Sequence, residues 1–500
     1  MLTGLNRVKL AGSFKLGGTF ALAASIALAF SGCASVGADF IAPGAVHGTV
    51  DGASYRHQTP AATAVATAAT EARLPQAWWS VFGDDELTRL EQAALQANPG
   101  LKAAAQRLLQ AQAQAGGVRA NQLPSVSAGV SSANVRTSAN TSQALALGGR
   151  TIKGNAYSTG ASLSYELDLW GRVRRLAEAA EAQVTVAEYE RDGVLLLLSA
   201  QVAQTYWQLR GLDAEMAILS SALATRRESE QLLQARFDAG LSSELDGARA
   251  RVERANAEAD LHETQRQRNV LEHSLATLTG VAPSAMLLPV GADSLPLAPK
   301  IPAGLPASLL AQRPDLAASV AVLRAQNAQI GVAEAAFYPA LQLTGNFGYA
   351  SENLHNLAQG GSRQFSVGPL ALALPLFDGG RNKANLALAK ARYGEALANH
   401  ESKLLNALRE VEDALSSLQQ RQLQGQAQAQ SQQAAARAYL VAQARYERGL
   451  SSFLDVIDAQ RSTLALDRAA VQIKTQRLLE TVALARALGA GWQAGEPGVR

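Results

Sequence analysis

Residues 236–246 read RFDAGLSSELD, and residues 445–455 read RYERGLSSFLD. The two share G-L-S-S-x-L-D letter for letter at a separation of 209 positions. Other pairs follow. Asn98-Pro99-Gly100-Leu101 matches Arg313-Pro314-Asp315-Leu316 at an offset of 215, which also carries Leu123-Pro124-Ser125-Val126 onto Tyr338-Pro339-Ala340-Leu341. Leu169-Trp170 corresponds to Leu376-Phe377, and from Gly171-Arg172 on Gly380-Arg381 the offset of 209 holds down to Gly280 on Gly489. A self-similarity this long means two copies of one structural unit. The near absence of insertions is what rigid rods of fixed length require.

Periodicity changes in a fixed order within each unit. Residues from Pro99 to about Arg119 are rich in Ala, Gln and Leu and begin at an Asn-Pro helix start. After Pro124 the pattern alternates, with Val126, Ala128 and Val130 against Ser125, Ser127 and Gly129. A second alternation sets Tyr157, Ala161, Leu163, Tyr165, Leu167 and Leu169 against Ser158, Gly160, Ser162, Ser164, Glu166 and Asp168. That strand is long enough to cross a bilayer, which needs about 9–11 tilted residues. From Gly171 to Asp238 a helical pattern returns, a rod on the order of 100 Å. Gly240 and Leu241 then end a helix, Ser242 or Ser243 starts the next, and the same reading applies to Gly449, Leu450, Ser451 and Ser452. The doubled motif is therefore a pair of helix hairpins, both at one end of the molecule. The second unit predicts strands near 340–349 and 364–377 and helices over 380–448 and 452–488.

Arg7, Lys9 and Lys15 precede an apolar run ending at Phe30, followed by Ser31, Gly32 and Cys33. This reads as a targeting segment, and a resemblance of its F-S-G-C end to the bacterial lipobox implies a signal peptide over 1–32 with cleavage between Gly32 and Cys33. Cys33 is the only cysteine, so no disulfide forms within the chain. F-S-G-C resembles a bacterial lipobox, which implies lipidation of Cys33; the alternative is an ordinary secretory signal. Ala34 follows in place of the Asp that retains lipoproteins in the inner membrane. Without residues 1–33 the chain has 42 basic and 42 acidic groups, so no basic surplus points to nucleic acid.

No later segment reaches 18 consecutive apolar residues, so any membrane crossing is by strands. Four strands leave open edges that lipid cannot satisfy. Two chains would supply eight strands and three would supply twelve, the latter leaving a possible lumen.

The order helix, hairpin, long helix, G-L-x-x-x-x-D tip and helix, given twice after a lipobox, resembles the TolC family of outer-membrane factors. It is similar in particular to the NodT/OprM-like lipoproteins of drug-efflux systems. The resemblance covers residues 78–489 and includes the W-W-x-x-F-x-D-x-x-L run from Trp78 to Leu87. It implies a mainly α fold with a membrane β-barrel part: a homotrimer with a 12-stranded barrel and a 12-helix periplasmic tunnel. The domains are then 1–32 signal peptide, 33–83 anchor and linker, 84–280 first repeat, 281–310 Pro-rich crossover, 311–489 second repeat and 490–500 tail. Implied partners are a periplasmic adaptor, an inner-membrane transporter of the resistance-nodulation-division type and outer-membrane lipid. The family's periplasmic gate residues fall on Tyr446, Asp455 and Asp458, with Asp246 on the first tip. An Arg of that network in TolC itself corresponds to Ser451 here.

No GxSxG, P-loop or H-E-x-x-H occurs, and the six histidines are scattered, so no catalytic residue, metal site or cofactor is expected. The function expected is the exit duct of a tripartite efflux system for small molecules such as drugs. Protein secretion, metal efflux and a non-channel coiled-coil surface lipoprotein are the alternatives.

Overall fold

The computed structural model describes residues 35–43, 55–57, 74–146, 148, 151, 153–291, 295–301 and 313–492. The expected signal peptide, its cleavage at Gly32 and the lipidated Cys33 lie outside the described residues. Among the described residues no helix is long and apolar enough to cross a membrane.

The first unit takes up α1 (Asp85–Ala97), α2 (Pro99–Ala120), β1 (Ser125–Arg136), the short α3 (Ser142–Ala146), β2 (Lys153–Leu167), α4 (Arg172–Asp238) and α5 (Glu244–Leu278). The second has α6 (Pro314–Ala335), β3 (Ala340–Ser351), β4 (Arg363–Ala373), α7 (Arg381–Glu447) and α8 (Phe453–Ala487). Four pairs of elements repeat with identical length, while β2 has 15 residues and β4 has 11. α2 and α6 have 22 residues each, β1 and β3 12, α4 and α7 67, and α5 and α8 35.

Local chemistry sets these ends. Asn98 accepts the Leu101 N–H at the start of α2, where Pro99 needs no amide partner. Asn98 also donates to the carbonyl of Leu278, the last residue of α5. Arg313 stands in the same place before α6 and donates to the carbonyl of Ala487, the last residue of α8. Each repeat thus ties its 22-residue helix, α2 or α6, to its last helix through the residue that precedes the proline. Beyond those ends Gly280 and Gly489 adopt φ of 72° and 85°, where a Cβ would be strained.

By compactness the chain forms two units, whose boundaries fall between Phe40 and Ile41 and inside α2, α4, α6 and α7. One holds residues 35–40, 114–181 and 324–394 and contains an antiparallel four-stranded sheet, in the order β1-β2-β3-β4. Two strand ends differ from the alternation pattern. β2 stops at Leu167 because the Asp168 carboxylate accepts the Val173 and Arg174 N–H groups and turns the chain into α4. β4 stops at Ala373, short of Phe377, because its partner begins at Ala340, directly after Pro339. A bulge opposite Leu343–Gly345 adds a residue to β4, which keeps Val367 and Leu370 on one face.

The other unit carries the main core. Trp78 and Trp79 of a 3₁₀ turn pack with Leu87 and Leu90 of α1 against Leu198, Tyr206 and Trp207 of α4. Asp84 caps α1 through the Leu87 N–H and also accepts the Tyr206 hydroxyl at 2.8 Å. The W-W-x-x-F-x-D-x-x-L run is therefore the plug of this core.

Candidate gate at the helix tips and the membrane face of the sheet

Both G-L-S-S motifs are helix hairpins with the same backbone bonds. Gly240 donates to Phe237 and Leu241 to Arg236; Gly449 donates to Tyr446 and Leu450 to Arg445. Gly240 and Gly449 share φ of 72°, the left-handed conformation that this double bond demands. Leu241 and Leu450 are exposed. Ser243 and Ser452 are the N-caps of α5 and α8, which settles the choice between Ser242 and Ser243.

The acids on the two tips are equivalent by repeat. Asp246 accepts the Ser243 hydroxyl at 2.8 Å, and its own N–H donates back to that oxygen. Asp455 accepts the Ser452 N–H at 3.2 Å. Both carboxylates therefore stabilise the first turn of a helix. Asp458 lies one turn on, exposed, 3.8 Å from Arg461. Ser242 donates to the Leu233 carbonyl, whereas the Ser451 hydroxyl is shielded and has no partner among the described residues.

The structure brings the two tips together. Leu233 of α4 and Ala250 of α5 pack on Phe453, Val456 and Ile457 of α8, with Tyr439 and Tyr446 of α7 alongside. This explains the one variable letter of the motif. Its x position is Glu244 in the exposed first copy and Phe453, only 6% exposed, in the second. Tyr446 packs on Phe453 with ring centroids 5.4 Å apart, and Arg236 reaches it from the other hairpin.

A ladder of arginines continues this contact between repeats. Glu253 of α5 is buried, bonded by Arg461 of α8 and 3.3 Å from Arg226 of α4. Further along, Arg468 of α8 meets Glu215 at 2.7 Å and Asp260 at 3.1 Å. Sequence reasoning missed these residues. The signal was present: Arg461 and Arg468 stand where the first copy has Val252 and Ala259, so the second repeat gained charge on the face that meets the first. Among the described residues no cluster of His, Cys, Asp or Glu could hold a metal.

The sheet divides by side-chain parity. Val126 and Val130 of β1, Leu163 and Tyr165 of β2, Leu343 and Phe347 of β3, and Phe365, Val367, Leu370 and Leu372 of β4 form one apolar face by register. Its outer strands are bare to solvent in the single chain, with Val130 at 81%, Phe365 at 73% and Val367 at 76% exposed, while Leu163, Tyr165 and Leu343 of the inner strands are half-buried. The opposite face carries Ser127 bonded to Ser162 and Ser131 bonded to Ser158, then Asn346 and Ser366. Among the described residues β1 and β4 each leave an unpaired outer edge. A bare apolar face and two open edges fit a sheet that lipid covers and other strands complete.

Close to the helical end of the sheet, the segment after Cys33 is strapped down. Arg175 donates to the Val36 and Gly37 carbonyls and pairs with Asp39 at 2.9 Å, and Asn327 donates to the Ala38 carbonyl.

Comparison with known proteins matches this arrangement. The family described as outer membrane efflux protein matches residues 90–281 and 305–490. The outer membrane protein OprJ of Pseudomonas aeruginosa is 37% identical over 422 residues, covering 84% of this chain and 87% of that protein. The antibiotic efflux pump outer membrane protein ArpC of Pseudomonas putida is 34% identical over 419 residues, covering 83% and 85%. The solved structure of the outer-membrane channel OprN superposes with a TM-score of 0.80 at 30% identity, over 91% of this chain and all of that one. The expected fold class, mainly α with a four-stranded membrane sheet per chain, holds. The chain belongs to the outer membrane efflux protein family.

Proposed function

We propose that the protein is the outer-membrane exit duct of a tripartite efflux system, carrying small molecules such as drugs outward. The observation that carries this reading is the four-stranded sheet, apolar and bare on one face, polar on the other and open at both edges. Three chains close such sheets into a 12-stranded barrel with a polar lumen, the smallest symmetric closure that leaves room for cargo. An inner-membrane transporter, of the resistance-nodulation-division type, selects the cargo, and a periplasmic adaptor engages the hairpin tips. The gate is Tyr446, Asp455, Asp458 and Asp246, with Asp455 and Asp458 from three chains forming a ring that favours cations. Ser451 leaves the tip without an Arg at that place, and the Arg461–Glu253–Arg226 ladder supplies the charge contacts between hairpins instead.

Lipidation of Cys33 anchors the chain to the inner leaflet of the outer membrane. In support, the segment fixed by Arg175 begins two residues after Cys33 and sits beside Gly171, four residues past the end of β2. An acyl group there enters the bilayer at the level where the strands leave it.

The test is deletion of the gene in its own host, with drug susceptibility and retention of a fluorescent substrate as readouts. Greater retention, restored by the wild-type gene, is the expected result. Unchanged retention of every compound, together with loss of export of a polypeptide or a metal ion, would replace this cargo reading with one of the alternatives.

A further inference from the structure

All four strands join helices at one end of the sheet, since α2 leads into β1, β2 into α4, α6 into β3 and β4 into α7. Followed away from that end, the apolar face changes character in steps. Leu167 to Tyr157 on β2 spans ten residue-to-residue steps, about 33 Å along the strand or roughly 25 Å after a 40° tilt, the height of a lipid-facing band. Next come Ser132 and Asn134 of β1, the latter bonded to Asn155 of β2 at 2.7 Å. The strands then end in Arg136 and Lys153, which are direct cross-strand partners on this same face. Arg363 starts β4 on that face too, opposite Tyr349, level with the top of the apolar band.

Arg136, Lys153 and Arg363 are exposed and have no ion pair among the described residues. Like charges directly opposite on an antiparallel pair are destabilising unless an anion lies between them. Acids are scarce here: in β1, β2, β3, β4 and the segments linking β1 to β2 and β3 to β4, the only acids are Glu166, at the helical end, and Glu352.

We infer that Arg136 and Lys153, with Arg363 below them, form a binding site for the phosphorylated head group of an outer-leaflet glycolipid, lipopolysaccharide. Its acyl chains lie along the apolar band, and its phosphates reach Arg136 and Lys153 above Tyr157 and Arg363 beside Tyr349. Charge complementarity selects this occupant, because a zwitterionic lipid offers no net charge to the pair. The site rests on the reading that the sheet spans the outer membrane with its hairpins outward.

The experiment is native mass spectrometry of the full chain purified in detergent. It is titrated with lipid A carrying two phosphates, with the same lipid dephosphorylated, and with phosphatidylglycerol. The bisphosphorylated form should bind at least tenfold more tightly than the dephosphorylated one. Arg136→Ser with Lys153→Ser should lose about fivefold per cation removed, and Arg136→Lys with Lys153→Arg should retain binding. Equal binding of the two lipid A forms, undiminished binding by the serine variant, or preference for phosphatidylglycerol overturns the site. Fractionation of the same cells separates the two readings. A wild-type protein absent from the outer membrane sinks the membrane reading, whereas one present there without phosphate discrimination sinks only the glycolipid site.

Discussion

Arg236 of the first helix hairpin lies over the ring of Tyr446 of the second, 5.5 Å from its centroid, and donates to its hydroxyl at 3.3 Å. One side chain thus makes a cation–π contact and a hydrogen bond across the repeat boundary, at the tips where the gate is proposed. Tyr446→Phe removes the hydroxyl and keeps the ring, while Arg236→Ala removes both contacts. At a partly exposed site each contact is worth about 1 kcal/mol or less. Cells carrying Arg236→Ala should become more sensitive to a large antibiotic that the closed duct excludes, by about fivefold, with Tyr446→Phe in between. Wild-type sensitivity in both would remove this pair from the gate.

Asp246 and Asp455 are capping residues as well as proposed gate residues, and the two roles separate by substitution. Asp246→Ala or Asp455→Ala should cost about 0.3–1 kcal/mol of local helix stability, seen as faster amide exchange in the first turn of α5 or α8. Asn in either place keeps an acceptor and should restore most of the protection. If Asp455→Asn caps normally yet weakens cation preference, the carboxylate charge acts in the pore. If charge loss leaves cation preference unchanged, the acid serves the helix alone.

The buried Glu253 should be the most costly residue of the ladder. Glu253→Ala leaves Arg226, whose side chain is 8% exposed, without its carboxylate, a loss of about 3–5 kcal/mol by precedent for broken buried pairs. Arg461→Ala removes a half-exposed arginine and leaves the buried Glu253 with Arg226, so it should cost less, about 1–3 kcal/mol. Thermal denaturation of the two variants gives the ranking, and a larger loss for Arg461→Ala would contradict it.

Glu91 of α1 is fully buried in the unit that holds the main core, and neither carboxylate oxygen has a partner among the described residues. Burial pushes its pKa up to about 9. The folded value lies above the unfolded one, so its stability contribution is complete below about pH 4.5 and is lost as pH rises toward about 9. Glu91→Gln escapes this loss. Its melting temperature should exceed that of the wild type by more at pH 8 than at pH 5, corresponding to a few kcal/mol at most. A difference independent of pH would show that Glu91 has a partner that holds its charge.

The repeat and its periodicities made most of the fold legible from the sequence. The lengths of α4, α5, α7 and α8 follow from caps at Gly240, Ser243, Gly449 and Ser452, all local signals. Strand ends were less visible. β4 stops at Ala373 because β3 supplies no partner further on, and pairing of that kind joins residues distant in sequence. The tips were legible as hairpins through glycine and serine. Their meeting through Leu233, Phe453, Arg236 and Tyr446 was not, because it depends on how four helices pack. Glu244 against Phe453 and Val252 against Arg461 show where it could have been sought, in the departures from repetition.

Single-channel recording of the purified protein in a planar bilayer tests the central claim most directly. If three chains pool their strands around a polar lumen, discrete conductance steps should appear, preferring cations, and Arg236→Ala should enlarge or prolong them. Folded, membrane-inserted protein that passes no current, either as wild type or as Arg236→Ala, would contradict the exit-duct account.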